Sequence, residues 1–189
     1  MEDGIVKDLL DEATERMRRS VEATTHEFGT VRTGRASTHL LDRINVDYYG
    51  APTPLRQLAN IATPEARLLS ITPYDKSSIR SIEKAILESD VGLTPSNDGQ
   101  IIRLVIPELT EERRRELVKI IHRLAEDGRV AVRNVRRDVM HDLRELKNEG
   151  EVGADDEHRA ESELQKLTDQ RIGEIDTALA QKEKDILEV

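Results

Sequence analysis

Three long segments of the chain carry apolar residues on one helical face and charged residues elsewhere. In the first, apolar positions recur every three or four residues from Val6 to Val31, and Thr24 is the one polar member of the stripe. This spacing predicts an amphipathic helix, because residues three and four apart lie on the same side of a helix. Gly29 and the pair Thr33-Gly34 indicate where this helix ends.

Two more helices are predicted in the C-terminal half. The second begins near Thr110, a candidate N-cap, and its apolar stripe runs to about Lys147. Gly128 interrupts that stripe and costs the helix about 1 kcal/mol relative to alanine. The third begins near Asp155 or Asp156. Helices with one apolar face each bury those faces most simply in an elongated three-helix bundle.

The segment between the first and second helices has a different texture. It contains all six prolines and short β-prone runs at 44–49, 58–61, 68–72 and 101–106. A short helix is predicted between the runs, after an N-cap at Asp75. The predicted fold class is therefore α+β. Residues 1–33 and 108–189 would form the bundle, and residues 34–107 would form an inserted small β/α/β domain.

Two short chain crossings would join these domains. Thr33, Gly34 and Pro107 lie at the crossings and are the predicted hinge residues. Short crossings with glycine and proline favour a definite elbow with limited motion over a flexible tether. Within the small domain, Tyr48 and Tyr49 are predicted to be core or strand-edge residues.

Composition excludes several classes of protein. The absence of cysteine excludes disulfide scaffolds, thiol catalysis and cysteine-based zinc sites. No phosphate-binding loop, dinucleotide fingerprint or nucleophile elbow occurs, and the five histidines lack metal-ligand spacing. We therefore expect neither an enzyme nor a metal site. The acidic N-terminus and the lack of a long apolar run predict a cytoplasmic protein without membrane contact.

The net charge of -9 is unevenly distributed. Residues 1–28 carry -4 and residues 148–189 carry -8, whereas residues 113–147 carry +5. In this basic segment the helical period brings four arginines within about a third of the circumference: Arg129, Arg133, Arg136 and Arg137. Guanidinium groups bind phosphate through two parallel hydrogen bonds, which predicts an RNA-binding face.

Two considerations qualify this prediction. Aromatic residues make up 2% of the chain, so recognition of RNA backbone and shape is favoured over base stacking. The alternative explanation of the basic segment is that its arginines pair with acidic side chains of the neighbouring helices.

Six short blocks follow one another in order over nearly the whole chain. They are VRTGRA at 31–36, DYYG at 47–50, TPLRQLA at 53–59, NDG at 97–99, PELTEERR at 107–114 and VAVRNVRRD at 130–138. Together they resemble the bacterial ribosome recycling factor (ribosome-releasing factor) family. The resemblance implies an L-shaped, tRNA-like molecule that acts after translation termination.

The resemblance also implies partners and contacts. With elongation factor G and GTP, the protein would split the post-termination 70S ribosome and release mRNA and tRNA. The partner would hydrolyse the GTP, so this chain needs no cofactor of its own. The bundle would bind large-subunit ribosomal RNA, with Arg133 and Arg136 as the best candidates for RNA contact and Arg129, Asn134 and Arg137 in support. We also expect a monomer.

Some alternatives stay open at this level. Arg32 and Arg35, which lie at the elbow, either contact RNA or brace the junction between the domains. A ribosome-binding dormancy factor would also use a basic helix. A coiled-coil adaptor or chaperone would instead present its apolar stripes to partner helices and would not depend on RNA.

Overall fold

The computed structural model describes residues 2–188, and the side chains of residues 4–188, as two compact units. One unit takes the residues up to Arg32 together with Glu112–Leu187, and the other takes Thr33–Glu111. The helices are α1 (Glu2–Thr30), α2 (Leu55–Leu58), α3 (Ile79–Glu88), α4 (Glu111–Asn148) and α5 (Ala154–Leu187). The strands are β1 (Asn45–Tyr48), β2 (Ala51–Pro54), β3 (Ala59–Glu65), β4 (Leu68–Pro73), β5 (Pro95–Asn97) and β6 (Ile102–Val105).

The first unit is built from the three long helices, α1, α4 and α5. Their predicted apolar stripes are buried or half-buried, and the fully buried side chains include Met17, Ile121, Leu143 and Leu164. The predicted α+β class, with long helices that pack together and a separate small sheet domain, is confirmed. No helix of the described residues is long and apolar enough to cross a membrane.

Helices α1 and α4 pack closely where Thr24 meets Gly128. A Cβ atom built on Gly128 would lie 2.9 Å from Cγ2 of Thr24 and nearer still to its hydroxyl oxygen. The Thr24 side chain is buried, and its hydroxyl donates a hydrogen bond to the carbonyl of Ser20 at 2.9 Å. The glycine that interrupts the stripe of α4 is thus the position that lets the two backbones pack.

The second unit places two antiparallel sheets around α3. Strands β1 and β2 form a hairpin, and the other four strands form a sheet in the order β3-β4-β6-β5. Alternate residues of the larger sheet point into the core against the apolar face of α3, and they include Leu69, Ile71, Ile102 and Leu104. The predicted cap at Asp75 is present: its side chain accepts from the Ser77 amide at 2.9 Å, in a short 3₁₀ turn that leads into α3.

The small unit differs from the prediction in three places. Strands β2 and β5 were not expected from their proline-containing sequences. Tyr49 is neither core nor strand: it lies in the two-residue turn between β1 and β2 and is 83% exposed. Tyr48, in contrast, is half-buried at the end of β1, as expected.

The chain segments that enter and leave the small unit are both held by the β3–β4 turn. The amide of Ala36 donates to the carbonyl of Ala66 at 2.7 Å, and the amide of Ile106 donates to the carbonyl of Arg67 at 2.8 Å. Gly34 has a left-handed φ of +76°, and a Cβ there would lie 3.0 Å from Cγ of Leu109. The two segments therefore pack against each other within this unit.

Candidate nucleic-acid interface

The candidate interface is the solvent side of α4, here termed the arginine face and defined by Arg129, Arg133, Arg136, Arg137 and Arg144. The same helix buries Val132, Val135, Val139 and Leu143 in the bundle. The helical period turns the arginines between these anchors away from the core. Local sequence thus fixes which side of α4 is basic, and neighbouring side chains decide which arginines remain unpaired.

Arg129 is engaged inside the bundle. Its Nε and Nη2 donate to the same oxygen of Asp176 on α5, at 2.8 and 2.6 Å, and its Nη1 donates to Glu126 at 3.1 Å. The bonds to Asp176 come first among the interactions that raise the pKa of Arg129. Only 19% of the side chain is exposed. The alternative explanation, pairing with a neighbouring helix, therefore describes Arg129 well.

Arg133 is more exposed and less constrained. Its side chain is 47% exposed, and its ion pair is with Glu126 on the same helix, at 3.2 Å. Hydrogen bonds from Arg129 and then Arg133 hold the pKa of Glu126 below its ordinary value, so this carboxylate stays charged at neutral pH. An exposed pair of this kind is weak enough for a phosphate to displace.

The next three arginines of the face have no carboxylate partner among the described residues. Arg136 is half-buried at the edge of the helix seam, where its Nε is buried without a hydrogen-bond partner among the described residues. Arg137 and Arg144 are exposed, and neither forms an ion pair with a described residue. The nearby carboxylate of Asp138 is already bound to Arg16 of α1, at 2.6 Å. The guanidinium groups of Arg137 and Arg144 are therefore available to an external anion.

The arginines of the other two bundle helices behave differently. Every arginine of α1 and α5 forms an ion pair with a carboxylate: Arg16, Arg18, Arg19, Arg159 and Arg171. Within the described part of the bundle, the arginines without an ion pair or other polar partner all lie on α4: Arg123, Arg136, Arg137 and Arg144. Carboxylates thus pair every arginine of α1 and α5, whereas Arg136, Arg137 and Arg144 of the arginine face have no carboxylate partner among the described residues.

The remaining predicted residues lie apart from this row. Asn134 is exposed on α4 beside Arg133, whereas Arg32 and Arg35 are exposed residues of the segment that follows α1, on either side of the boundary between the two units. Arg35 forms no ion pair with a described residue. Sequence reasoning missed Arg123, which lies nearly three turns before Arg133, is exposed and has no polar partner among the described residues. The helical period places Arg123 close to the direction of Arg137, and this could have identified it from the sequence.

The described residues contain no cluster of three or more side chains suited to hold a metal ion. A mixed pocket of about 690 Å³ lies in the small unit between the β1–β2 hairpin and α3, lined by Arg43, Asp47, Lys84 and Glu88 among others. Its two basic and two acidic side chains give it no preference for an anion. The arginine face is therefore the stronger candidate for a nucleic-acid contact.

Comparison with known proteins decides the family. Residues 24–187 match the family model described as Ribosome recycling factor. The chain belongs to the ribosome recycling factor family. It is 58% identical over 180 residues to the ribosome-recycling factor of Rubrobacter xylanophilus, covering 95% of this chain and 97% of that one. It is also 54% identical over 185 residues to that of Geobacillus kaustophilus, covering 98% and 100%.

Solved structures of ribosome recycling factors share the fold. A solution structure of a ribosome recycling factor matches with a TM-score of 0.76 at 42% identity, covering 97% of this chain and 98% of that one. A second match is the T. thermophilus factor placed with E. coli elongation factor G on the E. coli post-termination complex. It has a TM-score of 0.64 at 43% identity, covering 96% and 98%.

Family membership settles the function class. The chain is therefore a translation factor of the kind that recycles the ribosome after termination. Because the family is neither enzymatic nor dependent on a cofactor, those two predictions are confirmed. The adaptor alternative also fails on structural grounds, because the apolar stripes that it would present are buried within the bundle.

Proposed function

We propose that this ribosome recycling factor binds large-subunit ribosomal RNA through the arginine face of α4 and works with elongation factor G. The observation that carries the proposal is the distribution of ion pairs. Arg136, Arg137 and Arg144 have no carboxylate partner among the described residues, whereas every arginine of α1 and α5 has one. Unpaired guanidinium groups in a row suit the regularly spaced phosphates of folded RNA.

The arginines of the face would have different roles. Arg137 and Arg144 would bind phosphate directly, and Arg133 would exchange its ion pair with Glu126 for a phosphate. Arg136 would reach RNA from the seam edge, so its aliphatic stem would also contribute packing. Arg129 would hold α4 against α5 through Asp176 and support the face from behind. Asn134 would add a neutral hydrogen bond beside Arg133.

In this proposal the two units have separate roles in recycling. The bundle would anchor on RNA through phosphate contacts, and the small unit would receive the push of the translocase. GTP hydrolysis would take place on elongation factor G, since this chain has no phosphate-binding loop. The long helices would transmit the force and open the contacts between the ribosomal subunits, releasing mRNA and tRNA.

The hinge belongs to the same proposal. Both crossing segments are pinned to the small unit by their bonds to the β3–β4 turn, and Gly34 packs against Leu109. Gly34 and Pro107 would therefore shape the edge of the small unit, and the rotation would be concentrated next to them, at Thr33. Arg32 and Arg35, which lie on either side of Thr33, would also contact RNA. We further propose that the protein is a cytoplasmic monomer.

The test is a breakdown assay on purified post-termination ribosomes, with and without elongation factor G and GTP. The double variant Arg133→Ala/Arg137→Ala should weaken ribosome binding by about 2–4 kcal/mol, because each charge-assisted hydrogen bond contributes about 1–2 kcal/mol. The matched control is Arg159→Ala, which removes an exposed but paired arginine from α5 and should change little.

Salt dependence provides a second readout. Binding of the wild type should fall steeply as salt rises, because phosphate contacts release counterions, and the double variant should show a shallower slope. Equal affinity of wild type and double variant at all salt concentrations would contradict the assignment of RNA binding to this face. Absence of subunit separation by the wild type would contradict the proposed activity itself.

A further inference from the structure

The tip of the β1–β2 hairpin holds an aromatic residue in an unfavourable backbone conformation. Tyr49 has a φ of +51°, and it is the only residue other than glycine with a positive φ in the described part of the chain. Gly50 follows with a φ of +80°. A two-residue turn with positive φ at both positions favours asparagine or glycine at the first, because a bulky side chain is strained there.

Burial in the hydrophobic core does not compensate for that strain. Tyr49 is 83% exposed, so it adds little to the hydrophobic core. The chain has only four aromatic residues, and this unit leaves two of them, Tyr49 and Tyr74, largely in solvent. A strained and exposed aromatic side chain that does not stabilise its own domain points to a binding role.

The ring of Tyr49 is supported by the neighbouring Tyr48. The rings of Tyr48 and Tyr49 meet edge to face, with their centroids 4.6 Å apart and their planes at 73°. The phenol of Tyr48 donates to Asp75 at 3.0 Å, which raises the pKa of Tyr48 and keeps the phenol protonated. Asp75 is fixed in turn by the amide and hydroxyl of Ser77, at 2.9 and 2.7 Å. Such support lowers the entropy lost when a partner binds the ring.

Charge around the tip favours a protein over a nucleic acid. Asp47 directly precedes Tyr48 in the sequence, and Asp75 accepts the hydrogen bond from the Tyr48 phenol. Both carboxylates would repel phosphate. The unit Thr33–Glu111 as a whole carries a net charge of -2. Base stacking on Tyr49 would therefore bring a phosphate backbone towards these two carboxylates. An exposed, braced tyrosine is instead typical of the anchor residues of protein interfaces.

We propose that Tyr49 is the anchor with which the small unit docks on elongation factor G. This inference rests on the proposed function, in which the bundle binds RNA and the small unit meets the translocase. A relative with 43% identity is placed with elongation factor G on the post-termination complex, so a protein partner accompanies this fold there. The expected contact is an uncharged pocket that accepts the ring, with an acceptor for the phenol.

The experiment uses the variant Tyr49→Asn in the full chain. Asparagine suits the left-handed conformation, so thermal stability should equal or exceed that of the wild type. Ribosome binding without elongation factor G should be unchanged, whereas the elongation factor G concentration for half-maximal subunit splitting should rise about tenfold. Tyr49→Gly, which is also compatible with the turn, serves as the second variant. The control is Leu87→Asn, which removes another exposed apolar side chain of this unit.

Two results would overturn the inference. One is splitting by both variants at wild-type concentrations of elongation factor G. The other is a loss of ribosome binding by the variants when elongation factor G is absent, which would place Tyr49 on RNA or a ribosomal protein. Failure of the wild type to split ribosomes would instead refute the proposed function, so the two failures are distinguishable.

Discussion

Gly128 is the position where the structure reverses the sign of an effect expected from the sequence. Replacing glycine with alanine inside a helix stabilises the helix by about 1 kcal/mol through propensity alone. An alanine Cβ at Gly128, however, would lie 2.9 Å from Cγ2 and 3.1 Å from Cβ of Thr24. These separations are shorter than van der Waals contact. The variant must therefore move α1 away from α4 or force Thr24 out of its rotamer.

The size of the effect follows from these two responses. Overpacking of a well-packed core costs about 1–3 kcal/mol. Rotating Thr24 away gives up the hydrogen bond from its hydroxyl to the Ser20 carbonyl, which contributes about 1 kcal/mol. When both costs are added and the gain in helix propensity is subtracted, we expect Gly128→Ala to lower the free energy of unfolding by about 1–3 kcal/mol.

The assay is urea unfolding followed by far-ultraviolet circular dichroism, with Thr24→Ala and the double variant measured alongside. Thr24→Ala removes the two nearest atoms, so the double variant should be more stable than the sum of the single effects, with a coupling of about 1 kcal/mol. A Gly128→Ala protein as stable as the wild type, or more stable, would refute the reasoning. It would show that propensity outweighs the clash with Thr24.

Three other predictions concern charged residues. Arg129→Ala should lower the free energy of unfolding by about 1 kcal/mol, and the melting temperature by about 3 °C, because it unpairs Asp176; calorimetry checks this. Hydrogen bonds from the Arg103 side chain and from the amides of Ile101 and Gln100 hold the pKa of Asp98 well below its ordinary value. Its stabilising contribution is therefore present above pH ~4 and lost as pH falls further, and acid titration of Asp98→Asn should show less of this loss. Ribosome titration should show that the charge-preserving variant Arg137→Ala/Gln170→Arg binds as weakly as Arg137→Ala.

Hydrophobic periodicity predicted the long helices well, because each long helix is amphipathic over many turns. It missed β2 and β5, whose prolines argued against strands. Both strands lie at sheet edges, β2 in the hairpin and β5 at the end of the order β3-β4-β6-β5. An edge strand can include proline because one side of it makes no ladder hydrogen bonds. Sheet position, which decides this, is a tertiary property.

The site shows the same division between local and tertiary information. The helical period placed Arg129 and Arg133 on one face of α4, but it could not distinguish their environments. Arg129 is paired because the packing of α5 brings Asp176 within 2.6 Å, and Arg133 has no such neighbour on α5. The register between two helices is set by side chains throughout the bundle. Sequence reasoning therefore found the face but could not separate a bracing arginine from one that binds RNA.

The distribution of ion pairs also explains why position should matter more than net charge. A chain with a net charge of -9 is repelled by RNA as a whole, so binding depends on guanidinium groups that no carboxylate neutralises. An arginine introduced at Gln170 would lie one turn before Glu174, the hydrogen-bond partner that Gln170 already reaches at 3.5 Å. The new charge would share Glu174 of α5 with Arg171, whose Nη1 already donates to both carboxylate oxygens, and it would not replace the hydrogen bonds from Arg137 of α4 to phosphate. Recovery of wild-type affinity in the double variant would show that total charge governs binding, and the arginine face would then have no special role.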